Sequence, residues 1–242
     1  MTRIAIVSDI HGNIYALEAV LEDMKEKAID SVYCLGDMIG IGPFSNEVLE
    51  ALFATDNMQM ITGNHEESIL AVLTNEPYPK SRVNVKPHHE WIASRLKDEF
   101  IEKISKLPRQ LNKTFDEHSI QFIHYPMNPS SSNDPINKDP FDQLGVPSVE
   151  NFTHLQGLEN TELVCFGHDH SHHLFTCNNT TFYNTGSLGY SSKAFARYGI
   201  IEVDTNGYHI SQINVPYDLE KYVHDLTNSS VPRKEIILRM YS

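Results

Sequence analysis

Ile4-Ala5-Ile6-Val7-Ser8-Asp9-Ile10-His11-Gly12-Asn13 is the stretch that decides the architecture. Its first four residues form a continuous, partly β-branched apolar run, the pattern of a strand covered on both faces. The run stops at Ser8-Asp9, and from Ile14 the period changes. Ala16, Leu17, Val20, Leu21 and Met24 recur at helical spacing, with Asn13 placed to cap the helix. The same succession returns twice. Val32-Tyr33-Cys34-Leu35 precedes a helical stretch with Val48, Leu49, Leu52 and Phe53. Met58 to Ile61 precedes another that runs from Asn64 through Ile69, Leu70 and Leu73. Such alternation predicts a parallel sheet built from βαβ units.

The second half reads differently. Residues 113–116 and 119–124 resemble a hairpin, and 163–166, 174–177, 180–183, 198–203 and 208–214 are short strand patterns. Asn178-Asn179 and Asn206-Gly207 supply turn signals between them. An α/β half followed by a β-rich half predicts two packed sheets with helices outside. Between the halves lies 125–147, with Pro126, Pro129, Pro135, Pro140, Pro147 and Ser130-Ser131-Ser132. A connection of that length inside a compact domain is either functional or disordered. Because it leaves directly from His124, it is expected to wall or cover the site proposed below. Residues 1–225 are expected to form a single domain. Residues 226–242 read as a linker through Asn228-Ser229-Ser230-Val231-Pro232 and then a short helix containing Ile236, Ile237 and Met240. Its apolar side is expected to dock on its own domain or on a second subunit, which leaves a homo-oligomer open.

Composition narrows the class. The 242 residues carry 19 Lys+Arg against 32 Asp+Glu, a formal net charge of −13. That balance argues against a surface that coats duplex nucleic acid or an anionic membrane, though not against an anionic substrate at one cationic spot. Cys34, Cys165 and Cys177 are too few and too far apart for a disulfide framework, which favours a reducing compartment. No run approaches the roughly 20 apolar residues of a membrane span, and the first residues hold no signal-peptide core. A cytoplasmic location is the expectation. Thirteen scattered histidines are the anomaly.

The chemistry gathers just after the strands. The first ends in Asp9-Ile10-His11, the second in Gly36-Asp37 and the third in Gly63-Asn64-His65-Glu66. The hairpin ends at His124, and 163–166 runs into Gly167-His168-Asp169-His170. The carboxyl ends of strands form the ligand crevice of open α/β sheets. Residues two apart in an extended segment face the same way, so Asp9 with His11, and His168 with His170, can grip one ion each. Taken singly, each motif is as well explained by a loop, a turn, a helix cap or a packed histidine. Together they assemble Asp9, His11, Asp37, Asn64, His124, His168 and His170, too many ligands for one tetrahedral ion but suited to two ions sharing a bridge. A carboxylate can bridge and a neutral imidazole cannot, so Asp9 or Asp37 is the bridging candidate. Mixed N/O ligation without thiolate suits Mn, Fe, Zn, Co or Ni. Histidines 88, 89, 118, 154, 172, 173, 209 and 224 read as packing or surface residues, and Cys34 and Cys165 as core.

This set of motifs, with "SDIHGNIYALEAVL", "LGDMIGIGPFSNEV" and "NTGSLG" (Asn184 to Gly189), resembles the calcineurin-like metallophosphoesterases, in particular their small bacterial and archaeal phosphodiesterase branch. The resemblance spans nearly all of residues 1–203. It implies an α/β fold, a four-layer αββα sandwich of two mixed β-sheets flanked by helices. It also implies two transition-metal ions per chain, Mn2+ first and Fe next, with Zn, Ni or Co open. By motif position, Asp9, His11, Asp37 and His170 would hold one ion. Asp37, Asn64, His124 and His168 would hold the other, with Asp37 bridging and His65 the catalytic histidine outside the ligand set. Two departures stand out: Tyr125-Pro126 follows His124, and Asp169, a candidate outer carboxylate, separates the last two histidines.

The implied activity is phosphate-ester hydrolysis by a metal-bridging hydroxide, with His65 as general acid and Glu66 orienting it. The expected substrate is a small phosphorylated metabolite, a nucleotide or dinucleoside polyphosphate; Asn13, Lys193 and Arg197 are candidate contacts, with surface ion pairs the commoner role for the last two. A protein phosphatase of the same superfamily is the alternative, although the chain lacks the arginine-rich signature of that branch. A non-catalytic scaffold on this fold is the second alternative; such scaffolds tend to lose the catalytic histidine, which is present here. Two other metallohydrolase patterns fail. A metallo-β-lactamase motif lacks its Asp before His173, and a PHP-type D-x-H-x-H meets Asn13 in its last place.

Overall fold

The computed structural model describes residues 1–241. In chain order the elements are β1 (Thr2–Val7), α1 (Ile14–Lys25), β2 (Ser31–Cys34), α2 (Ser45–Ala54), β3 (Met58–Met60), α3 (Asn64–Thr74), α4 (Lys86–Ala93), α5 (Asp98–Ile104), β4 (Gln110–Phe115) and β5 (His118–Ile123). Then follow α6 (Val149–Phe152), β6 (Leu163–Phe166), β7 (His172–Cys177), β8 (Thr180–Thr185), β9 (Phe195–Asp204), β10 (Gly207–Pro216), α7 (Leu219–Asn228) and α8 (Lys234–Leu238). Two five-stranded sheets result, ordered β10-β9-β1-β2-β3 and β4-β5-β6-β8-β7. Both are mixed. β1, β2 and β3 run parallel, β9 is antiparallel to β1 and β10 antiparallel to β9, and β5, β6 and β8 run parallel between antiparallel β4 and β7. This is the predicted αββα sandwich.

The period of two in β1 explains the layering. Ile4 and Ile6 point between the sheets, where they meet Tyr33, Ile120, Phe122, Leu163 and Cys165. Ala5 and Val7 point the other way, into the layer formed with α1, α2, α4 and α5. A strand covered on both faces therefore needs apolar residues at every position, and the sequence supplies them. Asn13 caps α1, accepting from Ala16 N at 3.1 Å. Cys34, Cys165 and Cys177 are free thiols and all are buried. Among the described residues, no helix is long and apolar enough to cross a membrane.

Two stretches depart from the reading of the sequence, and the long connection between the halves is ordered. Residues 80–104 carry a 3-10 helix (Lys80–Val85), α4 and α5, none of them anticipated; Pro87 in the first turn of α4 was the available signal. Residues 125–147 are ordered by three short 3-10 turns and by buried Tyr125, Met127, Ile136 and Phe141. Finally, α7 reaches Asn228, so residues 226–228 are a last helical turn rather than the start of a linker. Asp218 as N-cap, with Leu219, Tyr222, Val223 and Leu226 at helical spacing, marks that helix in the sequence. The C-terminal helix packs on its own domain: Ile237 and Val231 join Tyr222 and Leu226, with Trp91 and Tyr190 alongside.

Candidate metal centre

All five strand-end motifs converge on one edge of the sandwich. Asp9 and His11 follow β1, Asp37 follows β2, Asn64 opens α3 after β3, His124 follows β5, and His168 and His170 follow β6. Their backbones are bent hard to get there. Asp9 (φ 54°), His11 (51°), Asp37 (50°), His168 (69°) and His170 (64°) all occupy the left-handed region. For residues other than glycine this costs about 1 kcal/mol or more each and persists only where the surroundings impose it. Here backbone bonds between loops impose it. Asp9 N donates to Gly36 O (3.1 Å), and His11 N to Asp37 O (3.0 Å). The Asn184–Gly189 turn adds two more, with Ser187 Oγ donating to Asp9 O (2.6 Å) and Ser187 N to His170 O (3.0 Å). Gly167 is required by close approach, since a Cβ there would collide with Ser8 and lie 2.6 Å from Asp9 Oδ2.

The side chains form two groups that share one member. Asp9, His11, Asp37 and His170 offer ligand atoms within 4.8 Å of one another, and so do Asp37, His124 and His168. In the first group His11 Nε2 lies 2.8 Å from His170 Nε2, and His170 Nε2 lies 3.4 Å from Asp9 Oδ1. In the second, His124 Nε2 is 3.2 Å from His168 Nδ1 and 3.4 Å from Asp37 Oδ2. Asn64 joins this second group, its amide 2.9 Å from His124 Nε2 and 2.7 Å from His168 Nδ1.

The amide has two orientations with opposite meanings. With its nitrogen toward the rings it donates to both, while its oxygen accepts from His65 N (3.2 Å) and Arg82 Nη1 (3.1 Å). Turned the other way, its oxygen faces two ring nitrogens. His124 Nδ1 donates to Leu35 O at 2.7 Å, so neutral His124 carries its lone pair on Nε2, the atom facing the centre. In this second orientation, with His124 neutral, three acceptors meet at one point, which a cation would satisfy; in the first, the amide N–H groups satisfy both rings.

The charges agree. His170 and the field of His124 hold Asp9 at about 2, against the upward push of burial. Asp37 stays well below the usual carboxylate range, because His124 and His65 outweigh its burial. Conversely, burial would lower His124, yet Asp37 and Asp9 raise it to about 9. The centre is thus a buried anionic pair that draws positive charge, and its donor set fits two divalent ions.

His65 lies beside the ligands rather than among them. Its Nε2 is 4.0 Å from Asp37 Oδ2, and its side chain keeps 12% of its surface open. Burial pushes its pKa well down, against the pull of Asp37. Glu66 does not orient it, contrary to expectation. Instead the buried Glu66 carboxylate accepts from Asp37 N (2.8 Å), Gly63 N (2.8 Å) and Ile39 N (3.1 Å), splinting two ligand loops. Glu66→Ala strands those three donors at about 1–3 kcal/mol each. It is expected to lower the melting temperature far more than Glu66→Gln, which keeps one acceptor, as thermal unfolding will show.

Other expected contacts fall elsewhere. Asn13 has spent its amide on Ala16 N, Gly189 O (2.9 Å) and Tyr217 OH (3.3 Å), which leaves little for a substrate. Lys193 and Arg197 both lie over the Phe195 ring, at 5.7 and 5.1 Å. Asp169 pairs with His173 (2.7 Å); the carboxylate that reaches a ligand is Asp142, 3.0 Å from His168 Nε2. Asp142 also holds Arg82 Nη2 (3.1 and 3.2 Å). His89, read from sequence as a packing residue, reaches His65 Nδ1 at 2.8 Å and Tyr78 OH at 2.8 Å.

A sandwich of two mixed sheets with a shared-carboxylate Asp/His/Asn cluster at its strand ends defines the metallophosphoesterase class. The chain belongs to the calcineurin-like phosphoesterase superfamily, whose domain model matches residues 2–206, and is by family a metal-dependent phosphoester hydrolase. An uncharacterized protein of Methanocaldococcus jannaschii is 25% identical over 235 residues, 96% of this chain and 94% of its own length. A metallophosphoesterase from Sphaerobacter thermophilus superposes with a TM-score of 0.72 at 21% identity, covering 99% of this chain and 98% of its own. A symmetrical bis(5'-nucleosyl)-tetraphosphatase of Sodalis glossinidius is 32% identical over 82 residues, 32% of this chain and 29% of that protein.

Proposed function

We propose that this chain is a dinuclear phosphodiesterase or phosphatase acting on nucleotides, with dinucleoside polyphosphates foremost, in the cytoplasm. The observation that carries the reading is Asp37, the one residue common to both ligand groups. Asp9, His11, Asp37 and His170 would hold one ion, and Asp37, Asn64, His124 and His168 the other, with Mn2+ or Fe the leading identities. When bound, such a pair supplies hydroxide near neutral pH and offsets phosphate charge. His65 Nε2, in its protonated form, gives the leaving oxygen its proton. The tetraphosphatase likeness supports a polyphosphate substrate.

Arg82, rather than Lys193 or Arg197, is the cation we assign to that substrate. It is steadied by Asp142 of the 125–147 segment at 3.1 Å, and the same carboxylate reaches the candidate ligand His168 at 3.0 Å. Arg82→Met is expected to raise KM for a dinucleoside tetraphosphate about tenfold, the worth of one charge-assisted hydrogen bond. A singly charged diester should be affected less. Metal analysis of the purified protein, joined to rates on a phosphomonoester, a phosphodiester and a dinucleoside tetraphosphate, tests the whole reading. About two transition ions per chain and fastest turnover of the tetraphosphate are expected. No hydrolysis of any of them with Mn2+ or Fe supplied defeats it.

A further inference from the structure

His65 does not stand alone. Its Nδ1 meets Nε2 of His89 at 2.8 Å, Nδ1 of His89 meets the Tyr78 hydroxyl at 2.8 Å, and that hydroxyl donates to Arg82 O at 3.3 Å. His89 is fully buried, its ring edge-on to both neighbours. The far end of the row is a carbonyl, which can only accept. A row ending there has one proton arrangement that satisfies every link. Tyr78 donates to the carbonyl, His89 Nδ1–H donates to Tyr78, and His65 Nδ1–H donates to His89 Nε2. The reverse arrangement makes one bond fewer, and it aims an N–H from His65 Nε2 toward Asp37 across 4.0 Å, beyond hydrogen-bond reach. Burial strengthens the preferred chain, because an unmade bond costs more there than in water.

We propose that Tyr78 and His89 are positioning residues for His65: in the neutral ring they hold the proton on Nδ1, so that Nε2, facing the centre, is the nitrogen that takes up a proton from solvent and passes it to the leaving oxygen. The inference rests on the role given to His65 above. Gly40 closes the other side of the clamp: at φ 120° it packs so tightly on the His65 ring that a Cβ would collide with Nδ1. The ring is thereby fixed in place and in tautomer by groups that carry no net charge, and neither Tyr78 nor His89 is a candidate ligand. The outer partners of this histidine thus come from α4 and from the segment that precedes the 3-10 helix Lys80–Val85, a stretch unrelated to the strand-end motifs.

Three variants and two readouts decide the matter. In ¹⁵N spectra of the metal-free protein, His65 is expected to show a protonated Nδ1 and a bare Nε2, and His89→Leu is expected to lose that preference. With metal restored, His89→Leu should cut kcat about ten- to hundredfold on a dinucleoside tetraphosphate, the usual cost of an outer partner. KM and metal content should hold, and p-nitrophenyl esters, whose leaving group needs no proton, should change less than about threefold. Tyr78→Phe should show a weaker form of the same split. His89→Gln, which can both accept from His65 and donate to Tyr78, should recover most of the loss. His65 protonated at Nε2 in the wild type, or equal losses on both substrates in Tyr78→Phe and His89→Leu, would overturn the proposal. A wild type inert toward every substrate sinks the function assigned above, and the spectra still decide the tautomer.

Discussion

Asp37→Asn is expected to lose bound metal and turnover together, with activity down at least about 10²-fold, beyond what removing an outer partner costs. The reason lies in how its two oxygens are placed. Oδ1 accepts from His65 N at 2.9 Å, and Oδ2 faces His124 Nε2 (3.4 Å), His11 Nε2 (3.9 Å) and His65 Nε2 (4.0 Å). Asparagine can keep the first contact through its own oxygen. Its NH2 group then points where a lone pair is wanted, and one of the two buried negative charges is gone. Both ligand groups lose their common member at once. Metal analysis beside circular dichroism checks this; a folded variant with full metal would show that Asp37 is not the shared ligand.

His65→Ala should behave in the opposite way. The ring belongs to neither ligand group, so metal content is expected to be unchanged while kcat on a dinucleoside tetraphosphate falls about 10²–10⁴-fold, the range of general acid catalysis. Equal rates for wild type and variant on that substrate would remove His65 from the chemistry. Read together, the two variants separate holding the ions from moving the proton.

The residues that build the sheets were legible in the sequence because their information is local. The run Ile4–Val7 and the helical spacing after Asn13 each need only a dozen residues to be read. The seven ligand candidates were also legible, since each sits directly after a strand and topology brings strand ends together. Tyr78, Arg82 and His89 were not. They lie on a 3-10 turn, the segment before it and a short helix, and no period announces these. Arg82 reaches the centre because its segment packs against residues 139–142, some 60 positions later, through Ser81–Asp139 and Arg82–Asp142. Glu66 misled for a related reason. Sequence adjacency to His65 implied contact, but on a helix neighbouring residues point apart, and its carboxylate turns back to Asp37 and Gly63. Lys193 and Arg197 carry charge near the Asn184–Gly189 loop, but both lie over the Phe195 ring.

The division of the ligands between the layers has a mechanical outcome. Asp9, His11 and Asp37 extend from strands of one sheet, whereas His124, His168 and His170 extend from the other. Cations seated among them would act as rivets through both plates of the sandwich. Whatever loosens the plates then loosens the grip on the ions, and saturating ions tighten the whole molecule by mass action. Durability and readiness for chemistry would rise and fall as a single property.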